Sequence, residues 1–249
     1  MYDTKKEINE LVKKFNIIKE KGYVKSTCNH LGGIGITFEH MIGNNENDFE
    51  IPDYKGIEIK TKRAYSKSYT GLFNCVPTGP HFHEVERLKE KYGYPDKILK
   101  SYKILNTSVY TTEKTKVGIY YYFQLKVDRV KQKIYLNIYD FNNKLIENCV
   151  YWDFDILKEK LYRKLRILAF IKAYVKKIEK QEYFKYYDLK LYELKDFDTF
   201  IKLIEKGLIR INFKIGVFRK GNKLGKIHDH GTSFSIQESN LINLYNHIK

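Results

Sequence analysis

At 249 residues and 43% hydrophobic side chains, the chain can bury a real core, as one large domain or as two closely joined lobes. Its 46 Lys and Arg against 30 Asp and Glu give a formal +16, which makes a polyanion, and nucleic acid first, the partner to consider, although an AT-rich genome also inflates Lys along with Ile, Asn and Tyr. Cys28, Cys75 and Cys149 are odd in number and lack any C-x-x-C pair, against a disulfide framework or a cysteine-rich zinc site; with no signal-peptide core and no run near the roughly 18 apolar residues of a membrane span, a soluble cytoplasmic protein is expected.

Residues 4–21 have the pattern of an amphipathic helix, with Thr4 and Glu7 spaced as a capping box, Ile8, Leu11, Phe15 and Ile18 on one stripe, and Gly22 as the stop. Gly32, Gly33 and Gly35 predict a flexible loop leading into a short helix that carries Phe38, Glu39, Met41 and Ile42. After a polar, turn-prone stretch from Asn44 to Glu50, Ile57 and Ile59 alternate with Glu58, Lys60 and Lys62 at the period of a strand, so the charged set shares one face.

Between Thr70 and Phe141 short strands rich in Tyr, Ile and Val predominate, interrupted by a helix over Glu84 to Tyr92 that stops at Gly93. Leu157, Leu161, Leu165, Leu168, Ile171 and Val175, spaced by three or four, predict a long helix over 154–178 capped by Asp153. A helix over 197–205 ending at Gly207, strands over 208–218 and 227–237, and a closing helix with Leu241, Leu244 and Tyr245 complete the reading. No repeat or Pro/Ser linker divides the chain, so two lobes of one unit are expected.

The chemistry-bearing constellation is Pro52-Asp53-x4-Glu58-Ile59-Lys60. Asp53 precedes the strand, while Glu58 and Lys60, two residues apart, project from the same side of it. Two carboxylates suit a magnesium ion with positions left open for water and phosphate oxygen, and the ammonium can orient the attacking water and offset phosphate charge. Taken alone, the pattern is more often that of an ordinary solvated strand face.

Its company is more specific. GGIGITFEHMIG, PDYKGIEIKTKR, LFNCVP, KYGYPD, YWDFDILKEKLYRK and KIHDHGTSFSI, in that order over nearly the whole chain, resemble the MvaI/BcnI family of type II restriction endonucleases, relatives of the mismatch-repair nickase MutH. The resemblance implies a mixed α/β (α+β) restriction-endonuclease core, a central mixed sheet flanked by helices, with a second DNA-recognition lobe. It makes Asp53 and Glu58 the carboxylates for Mg2+ (with Mn2+ able to substitute), Lys60 the third member of a PD-(D/E)xK centre, and Glu39 a supporting helix carboxylate. The catalytic centre then falls within about residues 30–75 and recognition mainly within about 205–240. It further implies a monomer that cuts a short near-palindromic duplex site by sequential nicking, with a DNA methyltransferase as functional partner. A MutH-like nickase and a catalytically silent DNA-binding protein are the alternatives.

For DNA contact, Lys62 and Arg63 can clamp a backbone phosphate, or be plain surface charges. His228, Asp229 and His230 admit base contacts, a role in the local fold, or a metal site for which no further His or Cys stands at ligand spacing. Arg210, Asn212 and Lys214 form a polar, basic strand face, and His81, near His83, sits in a loop that can reach a groove. The tyrosines fall at strand spacing, as sheet residues more than as stacking platforms.

Overall fold

The computed structural model describes residues 3–28, 32–44 and 51–248. In chain order the elements are α1 (Thr4–Glu20), β1 (Val24–Lys25), α2 (Gly33–Met41), β2 (Ile57–Arg63), β3 (Thr70–Asn74), α3 (Glu84–Tyr92), β4 (Tyr94–Pro95), β5 (Lys103–Val109), β6 (Thr115–Val117), β7 (Tyr121–Asp128), β8 (Lys133–Asp140) and β9 (Leu145–Asp153). They continue with α4 (Phe154–Leu165), β10 (Ile167–Ile178), β11 (Gln181–Leu194), α5 (Phe197–Glu205), β12 (Ile209–Val217), β13 (Ile227–Asp229), β14 (Ser233–Ile236), α6 (Leu241–Leu244) and β15 (Tyr245–His247). Two compact units result. The first comprises Met1–Ser68, Leu161–Lys195 and Ile242–Lys249, the second Tyr69–Lys160 and Asp196–Leu241. The expected mixed α+β class is observed.

In the first unit one mixed sheet runs β1-β11-β10-β2, with β15 on the same edge of β11 as β1. β10 pairs antiparallel with β11 and parallel with β2, setting Leu168 beside Glu58 and Phe170 beside Lys60. On one face Ile57, Ile59, Ala169 and Ile171 pack with Phe184 and Tyr186 against Leu11, Phe15 and Ile18 of α1 and Ile34 and Phe38 of α2. Each large side chain so buried contributes about 1.5–3 kcal/mol relative to exposure.

This sheet overturns the helix expected over 154–178. That helix ends at Leu165, and Ile167–Ile178 is the strand β10, between two partners. A strand covered on both faces is apolar almost continuously, and such a run satisfies a three-to-four spacing as well as a spacing of two. Here Ile167 to Ala173 are buried apart from Lys172. Asp153 ends β9, its carboxylate 3.6 Å from the Lys133 ammonium. β11 was not anticipated at all, and the segment read as a closing helix ends as β15 from Tyr245. At the N-terminus Asp3, not Thr4, caps α1, accepting from the backbone N–H of Lys5 and Lys6 at 3.1 and 3.3 Å; a carboxylate there also meets the positive end of the helix dipole. Gly33 and Gly35 lie inside α2, not in a loop before it, because the helix approaches its neighbours closely: a Cβ at Gly33 would sit 2.7 Å from Ser26 Oγ and one at Gly35 3.3 Å from Thr61 Oγ1. Residues 29–31 of the expected loop and 45–50 of the expected turn lie outside the described residues.

The second unit holds two sheets, β3-β14-β12-β5-β4 with β13 on β12, and β6-β7-β8-β9. Helix α3 is fixed to β9 by a charge cluster on Glu147, which accepts from Arg87, from the Lys91 ammonium at 2.8 Å and from the Tyr92 hydroxyl at 2.5 Å. Burial pushes the Glu147 carboxyl up, but these hydrogen bonds outweigh it and hold its pKa at about 2. A depressed carboxyl pKa adds stability above its ordinary value of 4.5 that is lost as the pH falls toward 2. Thermal melts of the wild type and Glu147→Gln between pH 7 and 2.5 are therefore expected to converge below pH 4.5; a pH-independent gap would rule the linkage out.

The three cysteines are free, and no helix among the described residues is long and apolar enough to cross a membrane.

Candidate active site

The site begins in a tight turn. Tyr54 and Ile57 exchange backbone hydrogen bonds of 2.9 and 2.7 Å, so Lys55 and Gly56 adopt left-handed conformations, φ 43° and 84°. Glycine takes this freely, a lysine only when neighbours hold it. The turn delivers Asp53 to the head of β2, where its Oδ2 accepts the Ile59 N–H at 2.8 Å, while the Asn44 side-chain amide donates to the Asp53 carbonyl.

Glu58 is fully buried. One oxygen, Oε1, accepts from the Lys60 ammonium and lies 3.6 Å from that of Lys164; the other, Oε2, has no hydrogen-bond partner. Burial raises the Glu58 pKa, the neighbouring Lys60 pulls it back, Asp53 pushes it up again and Lys164 lowers it. Glu39, half-buried on α2, is also raised, by burial and then by the Asp53 charge, with Lys60 opposing. Tyr186 of β11 donates to the Ile34 carbonyl at 2.7 Å, fastening the start of α2.

Glu39 and Glu58 thus each lie within the electrostatic reach of Asp53 and Lys60. An orphan carboxylate oxygen in a low-dielectric surrounding is costly unless a cation satisfies it, and hard oxygen donors suit a small divalent ion. Among the described residues no group of three or more His, Cys, Asp and Glu is placed to hold a metal ion, and Asp53 and Glu58 are the two carboxylates that the site offers one. Sequence reading missed Lys164: it lies in the last turn of a helix distant in sequence, and only α4 running into β10, beside β2, brings it to Glu58.

The expected DNA contacts sit in varied surroundings. Lys62 is buried on β2, and Arg63 is held bidentately by Glu182 at 2.9 and 2.8 Å. In the second unit the Arg210 guanidinium lies 3.4 Å from the centre of the Tyr69 ring and donates to the Tyr110 hydroxyl at 2.7 Å. Asn212 does not join an exposed face as expected: it is buried and bonded to Ser108, Ser233 and Ser235, leaving Lys214 exposed. His228 stacks on Phe218 at 4.0 Å and against His230 at 3.9 Å, and both histidines line a cavity of about 690 Å3 with Lys214, Arg219 and Lys220. The Asp229 carboxylate accepts the Gly231 N–H at 2.7 Å, shaping the turn after it. His81 is exposed in its loop, with its backbone N–H on Glu84.

Fold and sequence together place the chain among the type II site-specific deoxyribonucleases. It belongs to the MvaI/BcnI restriction endonuclease family, whose model matches residues 12–245. The chain is similar to the restriction endonuclease MvaI in its complex with cognate DNA substrate, with a TM-score of 0.90 and 31% identity over 100% of this chain and 98% of that one. Against MvaI in the absence of DNA the TM-score is 0.63 with 32% identity, over 100% and 98% of the two chains. Among curated proteins there is no match.

Proposed function

We propose that this endonuclease cuts both strands of a short near-palindromic DNA site with Mg2+, acting as a monomer by sequential nicking in the cytoplasm, beside a methyltransferase that protects the host site. The observation that carries the reading is Glu58, fully buried with one oxygen on Lys60 and the other unpartnered, two residues from Lys60 and just after Asp53. Similarity to an enzyme solved with its cognate DNA supports a duplex substrate.

Asp53 and Glu58 would hold the metal. Such an ion, when bound, lowers the pKa of a coordinated water and neutralises charge on the scissile phosphate. The Lys60 ammonium, tethered to Glu58 Oε1, orients the attacking water, and Glu39 supports the site from α2. Water attacks the phosphorus, the bond to the 3'-oxygen breaks, and a 5'-phosphate and a 3'-hydroxyl remain. Arg210, His228, Asp229, His230 and His81 read or position the duplex from the second unit. Arg63, whose charge Glu182 already balances, and the buried Lys62 are given no phosphate contact in this reading.

The test is plasmid cleavage by the purified chain with Mg2+. Discrete linear fragments with one sequence at every cut end are expected. Nicked circles that never become linear would replace the reading with a strand-nicking enzyme, and uniform degradation would remove the sequence specificity.

A further inference from the structure

The apolar stripe of α1 packs on the sheet, yet its polar side does something that stripe does not require. Glu10 Oε1 accepts the Tyr54 hydroxyl at 2.8 Å and its Oε2 accepts the Lys55 ammonium at 2.9 Å. Glu7 lies 3.1 Å from the same ammonium. One turn on, Lys14 stands 3.5 Å from Glu10 and donates to the Ile42 carbonyl, just past α2, at 2.7 Å. One helix thus grips both the residues that follow Asp53 and the end of the helix that carries Glu39.

From this geometry we infer that Glu10, with Tyr54 and Lys55, is a positioning residue that holds the Asp53 turn in its cleavage-competent shape. Resting on the reading of Asp53 and Glu58 as the metal pair, the inference adds what keeps them in register. Lys55 occupies a left-handed conformation that a lysine keeps only when its surroundings over-determine it, and both groups tied to Glu10 flank that bond. Tyr54 is itself buried, so its hydroxyl ends at a set position. A carboxylate misplaced by a fraction of an ångström loses much of its catalytic value, whereas a half-exposed ion pair such as Glu10–Lys55 contributes little to stability. The two roles separate experimentally.

The full-length Glu10→Ala and Glu10→Gln variants are compared with wild type by single-turnover cleavage, by Mn2+ binding to the protein–DNA complex followed by electron paramagnetic resonance, by metal-free DNA affinity and by thermal melting. For Glu10→Ala the single-turnover rate is expected to fall at least about tenfold and the Mn2+ dissociation constant to rise about fivefold, with DNA affinity changed by less than about twofold and Tm by less than about 2 °C. Glu10→Gln, which keeps an acceptor for Tyr54 but loses the charge facing Lys55, should fall between. A wild-type rate and metal constant in Glu10→Ala overturn the inference, as does a rate loss accompanied by a large fall in Tm. Glu58→Ala run alongside separates the two ideas: if it cuts and binds Mn2+ normally, the metal pair itself is misassigned and the inference goes with it.

Discussion

Glu58→Gln is expected to lower cleavage by at least about 10³-fold while leaving DNA affinity within a few-fold and thermal stability equal or higher. The two halves of that expectation share a cause. Glu58 is buried to zero exposure, its pKa raised chiefly by burial, and its Oε2 has no partner. A carboxylate in that state destabilises the folded chain, and a neutral amide of the same shape relieves the penalty while removing the anionic oxygen that catalysis needs. Opposed effects on stability and activity mark a residue kept for function. Lys60→Ala should also be severe, about 10²–10³-fold, because it takes away the ammonium bound to Glu58 Oε1 and leaves Lys164, 3.6 Å away, as its neighbouring cation. Gel-based cleavage, DNA-binding titrations and thermal melts of the same preparations check all of this. A Glu58→Gln protein that cuts at the wild-type rate would sink the assignment.

Trp152→Ala is expected to cost about 3–5 kcal/mol. The indole is fully buried, meets Phe213 at 6.3 Å and Phe234 at 6.2 Å, and donates from Nε1 to the Cys75 carbonyl at 2.9 Å. Phe234 in turn stacks on Phe73 at 5.0 Å, so strands from both sheets of the second unit meet at this ring. Removing it leaves a large cavity among aromatic groups that cannot collapse without shifting strands. Trp152→Phe keeps most of the volume and loses the hydrogen bond, so a smaller cost of about 1–2 kcal/mol is expected. Urea unfolding followed by far-ultraviolet circular dichroism measures both; equal midpoints for Trp152→Ala and the wild type would contradict this account of the core.

What could be read from the chain was what neighbours in sequence decide. The apolar stripe and glycine stop of α1, the helix of Glu84 to Tyr92 before Gly93, α5 before Gly207, and the alternation of Ile57 to Lys62 are all local, and each element formed with nearly those bounds. The carboxylates and lysine of the site were readable for the same reason: Asp53, Glu58 and Lys60 lie on one turn and the strand it leads into.

What failed was whatever depended on a partner far along the chain. The run Ile167 to Ile171 is apolar at every position, so its own periodicity does not separate helix from strand; pairing with β2 and β11 on its two sides chose the strand. Arg63 read as a phosphate clamp or a plain surface charge, and the pairing with Glu182 came only with β11, itself unforeseen. The sequence by itself determined the family, the helices with clear stops, and the turn and strand that carry Asp53, Glu58 and Lys60. Only the tertiary structure decided that Glu58 is desolvated, that Lys164 stands beside it and that α1 grips the turn of Asp53, because burial and long-range ion pairs depend on which segments pack together, and local spacing carries no record of that.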